Sequence, residues 1–111
     1  MISLADIAAA RSRIASHIRL TPVMTAAAMR ETLPLDAEVI LKLELFQVTG
    51  SFKARGAMHR YQADRDGIPA AGIVTASGGN HGLAVARTAH AAGTRATIFV
   101  PSAVRPEKVE K

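Results

Sequence analysis

Lys53 is the residue whose type and setting best suit covalent chemistry, because it follows Gly50, Ser51 and Phe52 where a helix is predicted to begin. Glycine takes turn conformations that other residues avoid, and serine is a good N-cap, so the pattern predicts a helix to about Asp64. A cation is disfavoured in a first turn, where the helix dipole is positive. If such a lysine is also desolvated, its neutral amine can attack a carbonyl carbon to form a Schiff base. The alternative is an ordinary exposed lysine, since lysines are almost never fully buried.

A second candidate site is the loop over residues 77–82, whose sequence is Ser-Gly-Gly-Asn-His-Gly. It joins a predicted strand to the N-terminus of a predicted helix, where free N–H groups and the helix dipole favour an anion. The alternative is an ordinary glycine-rich turn. A dinucleotide fingerprint needs glycine where Ser77 stands and an acidic residue where Pro101 and Ser102 occur, and a Walker loop is absent. Nucleotide binding is therefore disfavoured.

The elements before Lys53 are predicted from caps and periodicity. Ser3 or Asp6 can cap a first helix that runs to about residue 17, and a short helix is expected from Ala26 to about residue 32. Residues 38–45 alternate apolar and polar side chains, which predicts a strand with one wetter face. We expect Lys42 and Glu44 on that face to be solvated or paired rather than catalytic.

The second half of the chain predicts a β-α-β unit around the glycine-rich loop. Strands are expected over residues 72–76 and 96–100, the second covered on both faces, and the helix between them spans residues 83–92 and ends at Gly93. A further helix is predicted to begin at Pro106, because proline and glutamate favour a first turn. A folded domain would hardly end so soon after a helix start, so we expect this chain to be the N-terminal piece of a longer protein.

Composition narrows the classes of partner. The 111 residues suit about one domain, and no stretch approaches a membrane span or a signal peptide, so a soluble cytoplasmic protein is expected. The net charge is +5, but the 14 Lys and Arg are scattered among nine carboxylates, which disfavours nucleic-acid binding and suits small anions. There is no cysteine, and the four histidines form no H-x-x-x-H pair, so no metal site is predicted.

The two candidate sites and their surroundings share an order and spacing that resemble one family, from about residue 4 to the end of the chain. The motifs are Thr21-Pro22, Lys42-x-Glu44, Gln47-x-Thr49-Gly50-Ser51-Phe52-Lys53-x-Arg55-Gly56-Ala57, Ser77-x-Gly79-Asn80-His81 and Val100-Pro101. As a set they resemble the serine/threonine dehydratases, of the tryptophan-synthase-β-like, fold-type II group of pyridoxal-phosphate enzymes. The resemblance implies an α/β fold with a parallel sheet in three αβα layers, incomplete here at the C-terminus.

The resemblance also implies roles for the site residues. Lys53 would carry pyridoxal 5'-phosphate as a Schiff base, act as general base at the substrate Cα and assist departure of the β-hydroxyl. Phe52 would lie beside the cofactor ring, and Asn80 would hydrogen-bond its 3′-oxygen. The substrate carboxylate would bind the loop formed by Ser77, Gly78, Gly79, Asn80 and His81.

Two positions narrow the activity within that group. Cysteine and threonine synthases usually carry aspartate directly after the lysine, where this chain has Ala54. Serine racemases carry a second serine, which acts as a base on the opposite face, where this chain has Gly78. The resemblance therefore favours dehydration of a small hydroxy amino acid over racemisation. Another β-eliminating or racemising enzyme, or a non-enzymatic remnant that binds an anion or a partner chain, are the alternatives.

By the same resemblance, residues 1–70 would begin the larger domain and residues 71–111 the smaller one, in a parent protein that forms a homo-oligomer. The family's phosphate-binding glycine loop and the residue facing the pyridine nitrogen lie beyond position 111. The cofactor needs three anchors to be held and tuned, namely Lys53, the glycine loop and the residue facing the pyridine nitrogen.

We predict that the 111-residue chain made alone is unstable and inactive. Its predicted strands need neighbours, and unpaired strand edges and exposed apolar surface favour aggregation. Thermal melting and size-exclusion chromatography, with and without pyridoxal phosphate, test this expectation. A cooperative melt of a monodisperse monomer that forms pyruvate or 2-oxobutanoate would contradict it.

Overall fold

A computed structural model of the chain describes residues 1–26, 37–104 and 107. Most of the helix predicted from Ala26, and the start of the helix predicted at Pro106, lie outside these residues. The regular elements, in chain order, are α1 Leu4–Ile14, β1 Val23–Thr25, β2 Ile40–Lys42, α2 Lys53–Asp64, β3 Ile73–Ala76, α3 Asn80–Ala92 and β4 Ala96–Phe99. Short 3₁₀ turns cover Glu44–Phe46 and Arg65–Gly67.

The first helix begins through a reciprocal pair of hydrogen bonds, and both residues that the sequence suggested as caps take part. The Ser3 hydroxyl accepts from the Asp6 backbone N–H, while the Asp6 carboxylate accepts from the Ser3 backbone N–H at 2.8 Å. This capping box satisfies two donors that the first turn leaves free. The helix ends at Ile14, which is earlier than predicted.

The strand expected over residues 38–45 is shorter in the structure. Only Ile40–Lys42 forms a strand, which pairs antiparallel with β1 so that Val23 lies opposite Lys42. At Leu43 the backbone leaves the extended region, with φ −82° and ψ 69°, and its N–H donates to the carbonyl of Pro22. The chain then turns into the 3₁₀ segment, so Glu44 lies in a turn and not in a strand.

The predicted β-α-β unit is present, with β3 and β4 paired in parallel from Ile73 opposite Ala96 to Ala76 opposite Phe99. Helix α3 packs against both strands, but Val74 and Phe99 stay 67% and 62% exposed. The expectation that the final strand is covered on both faces is therefore wrong for the described residues, because α3 packs on one face of this two-stranded sheet and leaves these side chains free.

Helix α2 lies between α1 and α3 and packs against both of them. The buried apolar side chains are small apart from an isoleucine, a methionine and a valine; they are Ile14, Ala54, Met58, Ala84, Val85 and Ala89. Met58 is thus a core residue. Small side chains let helix axes approach closely, so the starts of α2 and α3 are held in a fixed relation by this packing. Among the described residues, no helix is long and apolar enough to cross a membrane.

Two glycines define the ends of α3. Gly93 takes a left-handed conformation with φ 65° and ends the helix, as predicted. Gly82 lies in the first turn, where an added Cβ atom would come 2.6 Å from the carbonyl oxygen of Ser77 and 3.3 Å from Ile98 Cγ2. Glycine at position 82 therefore allows the helix start to approach both the loop before it and strand β4.

We predict that Gly82→Ala lowers the melting temperature of the whole protein that carries this chain. Overpacking of this kind costs about 1–3 kcal/mol, which exceeds the gain of about 0.5–1 kcal/mol that alanine brings to a helix interior. Gly56→Ala in α2 is the matched control, because its added Cβ would meet no atom within 4 Å and should stabilise the protein. Equal melting shifts in both variants would contradict this account of Gly82.

Candidate functional site

Lys53 is the first residue of α2, as the sequence predicted, but the helix is capped differently. Phe52 holds the N-cap position with φ −62° and ψ −16°, and its side chain makes no capping hydrogen bond. Ser51, predicted as the cap, lies one residue earlier; its side chain is buried, and its hydroxyl has no hydrogen-bond partner among the described residues. The prediction of a Ser51 cap is therefore wrong, because residue 52 already has helical angles and moves the cap position past the serine.

The Lys53 and Phe52 side chains are both exposed, and they lie together. The ammonium nitrogen of Lys53 is 5.1 Å from the centre of the Phe52 ring, within the range of a cation–π contact. The described residues thus leave the amine open to solvent and do not supply the desolvation that the sequence argument required. What they do supply is an amine beside an aromatic ring at the mouth of a cavity.

That cavity, of about 540 Å³, lies between α2, β3 and α3. Lys53 and Phe52 line one side, and His81, from the first turn of α3, lines the other. The His81 ring is held by Thr75, whose hydroxyl oxygen is 3.1 Å from Nε2. The His81 side chain therefore belongs with Lys53, although the sequence grouped it with the glycine-rich loop.

The other four residues of the predicted loop line a second cavity, of about 380 Å³. Ser77, Gly78, Gly79 and Asn80 form its polar wall. The first backbone bond of α3 runs from Leu83 N to Gly79 O at 3.2 Å, so the N–H groups before it lie ahead of the helical ladder. The Ser77 hydroxyl accepts from the Gly79 N–H at 3.3 Å, which folds the loop towards the helix start. The arrangement suits an anion such as a carboxylate.

A polar cluster that sequence analysis did not assign to the site lies on the other side of the start of α2. Arg55 donates through Nε to Glu44 Oε2 at 2.9 Å and through an Nη atom to Glu44 Oε1 at 2.7 Å. Thr21 is 3% exposed; its hydroxyl donates to Glu44 Oε1 and accepts from Arg55 at 3.2 Å. Lys42 donates to the Thr21 carbonyl oxygen, and Glu44 pairs with Arg55, so each of these two side chains has its own partner, as expected. The signal in the sequence was that all four residues, Thr21, Lys42, Glu44 and Arg55, belong to the motifs that resemble the family.

The cluster holds Glu44 in its charged form. Hydrogen bonds from the Arg55 guanidinium, aided by the Thr21 hydroxyl, lower the pKa of Glu44 from 4.5 to about 2, although partial burial opposes the shift. The same contact raises the pKa of Arg55. A bidentate guanidinium–carboxylate pair fixes direction as well as distance, because two parallel N–H donors meet two oxygens.

Gln47 fixes the turn that leads from this cluster to Lys53. Its side chain is 2% exposed, and its amide oxygen accepts from the backbone N–H groups of Arg19 and Val48. Its amide nitrogen donates to the Arg19 carbonyl oxygen at 3.0 Å. A side chain so fully paired ties the segment after α1 to the turn, and Gly50 then directs the chain into α2 with φ 69°.

Comparison with known protein families matches residues 14–111 to the family described as "Pyridoxal-phosphate dependent enzyme". The chain is also 41% identical over 110 residues to a protein of Sinorhizobium fredii named putative threonine dehydratase. It is 42% identical over 101 residues to the catabolic L-threonine dehydratase TdcB of Staphylococcus aureus. These alignments cover 99% and 91% of this chain but 32% and 29% of the two relatives, so the chain spans about a third of their length.

Among solved structures, the chain is similar to a pyridoxal 5'-phosphate-dependent aspartate racemase. The TM-score is 0.86 and the sequence identity 36%, over 98% of this chain and 34% of the racemase. Similarity in sequence thus points to proteins named dehydratases, while similarity in structure includes both racemases and a threonine deaminase.

We predict that acid removes the stabilisation that Glu44 provides. Because folding lowers the pKa of Glu44 from 4.5 to about 2, its contribution is complete above pH 4.5 and is lost as pH falls towards 2. At neutral pH, Glu44→Gln should lower the free energy of unfolding by about 1.5–3 kcal/mol. Thermal unfolding of the whole protein and of this variant, from neutral pH to about pH 3, measures the difference. A difference that stays constant over this range would refute the assignment.

Proposed function

The chain belongs to the family of pyridoxal-phosphate-dependent enzymes, and from that premise we propose that the whole protein is a hydroxy-amino-acid dehydratase. Its reaction would convert L-threonine or L-serine to a 2-oxo acid and ammonia. The observation that carries the proposal is the placement of Lys53, a solvent-open amine that begins α2 beside Phe52 at the mouth of a cavity. The two relatives named as threonine dehydratases support the choice of reaction.

The residues present fit the cofactor by the chemistry of their groups. An aldehyde on a planar aromatic ring calls for a primary amine to bind it and an apolar ring to lie beside it, and Lys53 and Phe52 supply both. Asn80 lines the second cavity and not that of Lys53, and we propose that its amide donates to a ring oxygen of the same cofactor. Lys53, Phe52 and Asn80 are therefore the residues that we assign to the cofactor.

Lys53 is also the residue that we assign to proton transfer. When bound, the cofactor supplies an electrophilic carbon and an electron sink that lowers the cost of removing a proton from the substrate Cα. Once its amine is free, Lys53 would accept that proton and assist departure of the β-hydroxyl, because it is the only primary amine among the described residues that line this cavity. The loop Ser77, Gly78, Gly79 and Asn80 would bind the substrate carboxylate through N–H groups at the start of α3.

We assign His81 a second role beside the carboxylate binding that the sequence suggested. Its backbone N–H lies in the first turn of α3, where it can donate to the carboxylate, but its side chain lines the cavity of Lys53. Because Thr75 holds the ring, His81 would bound the space around the amine.

We propose that residues 1–70 and 71–111 belong to two domains, with Lys53 in the first and the carboxylate loop in the second.

A racemase is the second candidate, because the chain is similar in structure to an aspartate racemase. Racemisation needs a second acid–base group on the face of Cα opposite the lysine. Position 78 has no side chain, and a Cβ built there would lie 2.3 Å from Val104 Cγ2 and 3.2 Å from Pro101 Cδ. A serine would therefore require the Val104 side chain to move and Pro101 to give way slightly. This crowding supports dehydration over racemisation.

The proposal predicts that borohydride reduction of the whole protein with pyridoxal phosphate labels Lys53, as read by peptide mapping. L-threonine or L-serine should yield a 2-oxo acid and ammonia, with little D-amino acid. Lys53→Ala should remove both the label and turnover, whereas Lys42→Arg should keep the label. Label on Lys42, or full activity in Lys53→Ala, would overturn the assignment, and rapid formation of the D-amino acid would favour the racemase.

A further inference from the structure

We propose that Thr21, Glu44 and Arg55 form a clasp that positions Lys53 for its bond to the cofactor, an inference that rests on the proposed function. The clasp consists of the bidentate Arg55–Glu44 ion pair and the Thr21 hydroxyl that bridges it. Its members are positioning residues, since the side-chain hydrogen bonds that join them are made with one another.

The need for such a device comes from the start of α2 itself. Phe52 provides no side-chain cap, and Lys53 and Arg55 place two cations in the first turn, where the helix dipole is already positive. The Glu44 carboxylate neutralises one of them and brings a negative charge to the correct end of the helix. The ion pair therefore offsets part of the unfavourable positive charge at this helix start.

The geometry of the helix explains how the clasp acts on Lys53. Residues two apart on an α-helix point about 200° from each other, so a clasp on Arg55 leaves Lys53 free to project from the opposite side. Ala54, between them, is buried in the core. The backbone of Lys53 is thus fixed by its neighbour in the core and by the clasp, while its side chain remains exposed beside Phe52.

The clasp joins three separate segments of the chain and so fixes their positions relative to one another. Thr21 precedes β1, Glu44 opens the 3₁₀ turn after β2, and Arg55 belongs to α2. Lys42 adds a bond from the end of β2 to the Thr21 carbonyl oxygen. The two-stranded ribbon is thereby fastened to the helix start, and a loss of the clasp would let the first turn shift against the cavity.

The test uses the whole protein in apo form, mixed with pyridoxal phosphate, and measures the rate at which Lys53 becomes linked to the cofactor. Linkage is followed by visible absorbance and by borohydride trapping with peptide mapping. Thr21→Val and Glu44→Gln should slow linkage and lower kcat by about tenfold to a hundredfold, as misplacement of a reacting group does, with a smaller change in KM. Thr21→Ser, which keeps the hydroxyl, should retain the original rate.

The matched control is a similar pair on the same ribbon, since the Thr25 hydroxyl bonds to the Glu38 carboxylate at 3.3 Å on the exposed surface. Thr25→Val and Glu38→Gln should leave linkage and kcat unchanged. If Glu44→Gln does not fold, Thr21→Val carries the test, because it leaves the ion pair in place. A lower melting temperature with unchanged linkage rate and kcat would overturn the clasp, whereas absence of any Lys53 linkage in the unmodified protein would overturn the proposed function instead.

Discussion

The packing of α2 against α3 is the constraint on which the candidate site depends. Each helix begins with a chemically useful segment, Lys53 in one and the glycine-rich loop in the other. The core packing of α2 against α3 holds the two helix starts in a fixed relation, with Lys53 and His81 lining the cavity between α2, β3 and α3 and the rest of the loop lining the second cavity. Core packing is sensitive to single methyl groups. The relative position of the starts of α2 and α3 therefore depends on how the core side chains fit together as well as on how much area they bury.

The starts of α2 and α3 differ in the charged groups that lie near the positive end of the helix dipole. The start of α3 carries no acidic residue in its first turn, which leaves its positive end open to an anion. The start of α2 carries two cations, and the Glu44 carboxylate compensates one of them across a gap of 11 residues. One helix start is thus suited to bind a carboxylate, and the other already holds one from its own chain.

The family relationship and the local structure answer different questions. The family match over residues 14–111 shows the class of protein to which the chain belongs. The local structure shows a smaller feature, since a Cβ atom added to Gly78 would contact Val104 and Pro101. That contact is a property of this chain's own turn.

The sequence alone determined the features that depend on a few adjacent residues. These include the capping box of α1, the helix from Lys53 to Asp64, the left-handed end of α3 at Gly93 and the family to which the motifs belong. Caps and turns depend on backbone angles and hydrogen bonds within about one helical turn, so residue types predict them well. The roles of Lys53, Phe52, Asn80 and the carboxylate loop stay predictions.

Only the tertiary structure decided how distant segments meet. The Thr21–Glu44–Arg55 cluster joins positions up to 34 residues apart, and the His81 side chain lies with Lys53 and not with its own loop. Ser51 lost the cap position because the turn after Gly50 brought Phe52 into helical angles, and the strand over residues 38–45 was cut short at Leu43. Side-chain pairing across a fold depends on packing and on which donors are already satisfied, and neither follows from spacing along the chain.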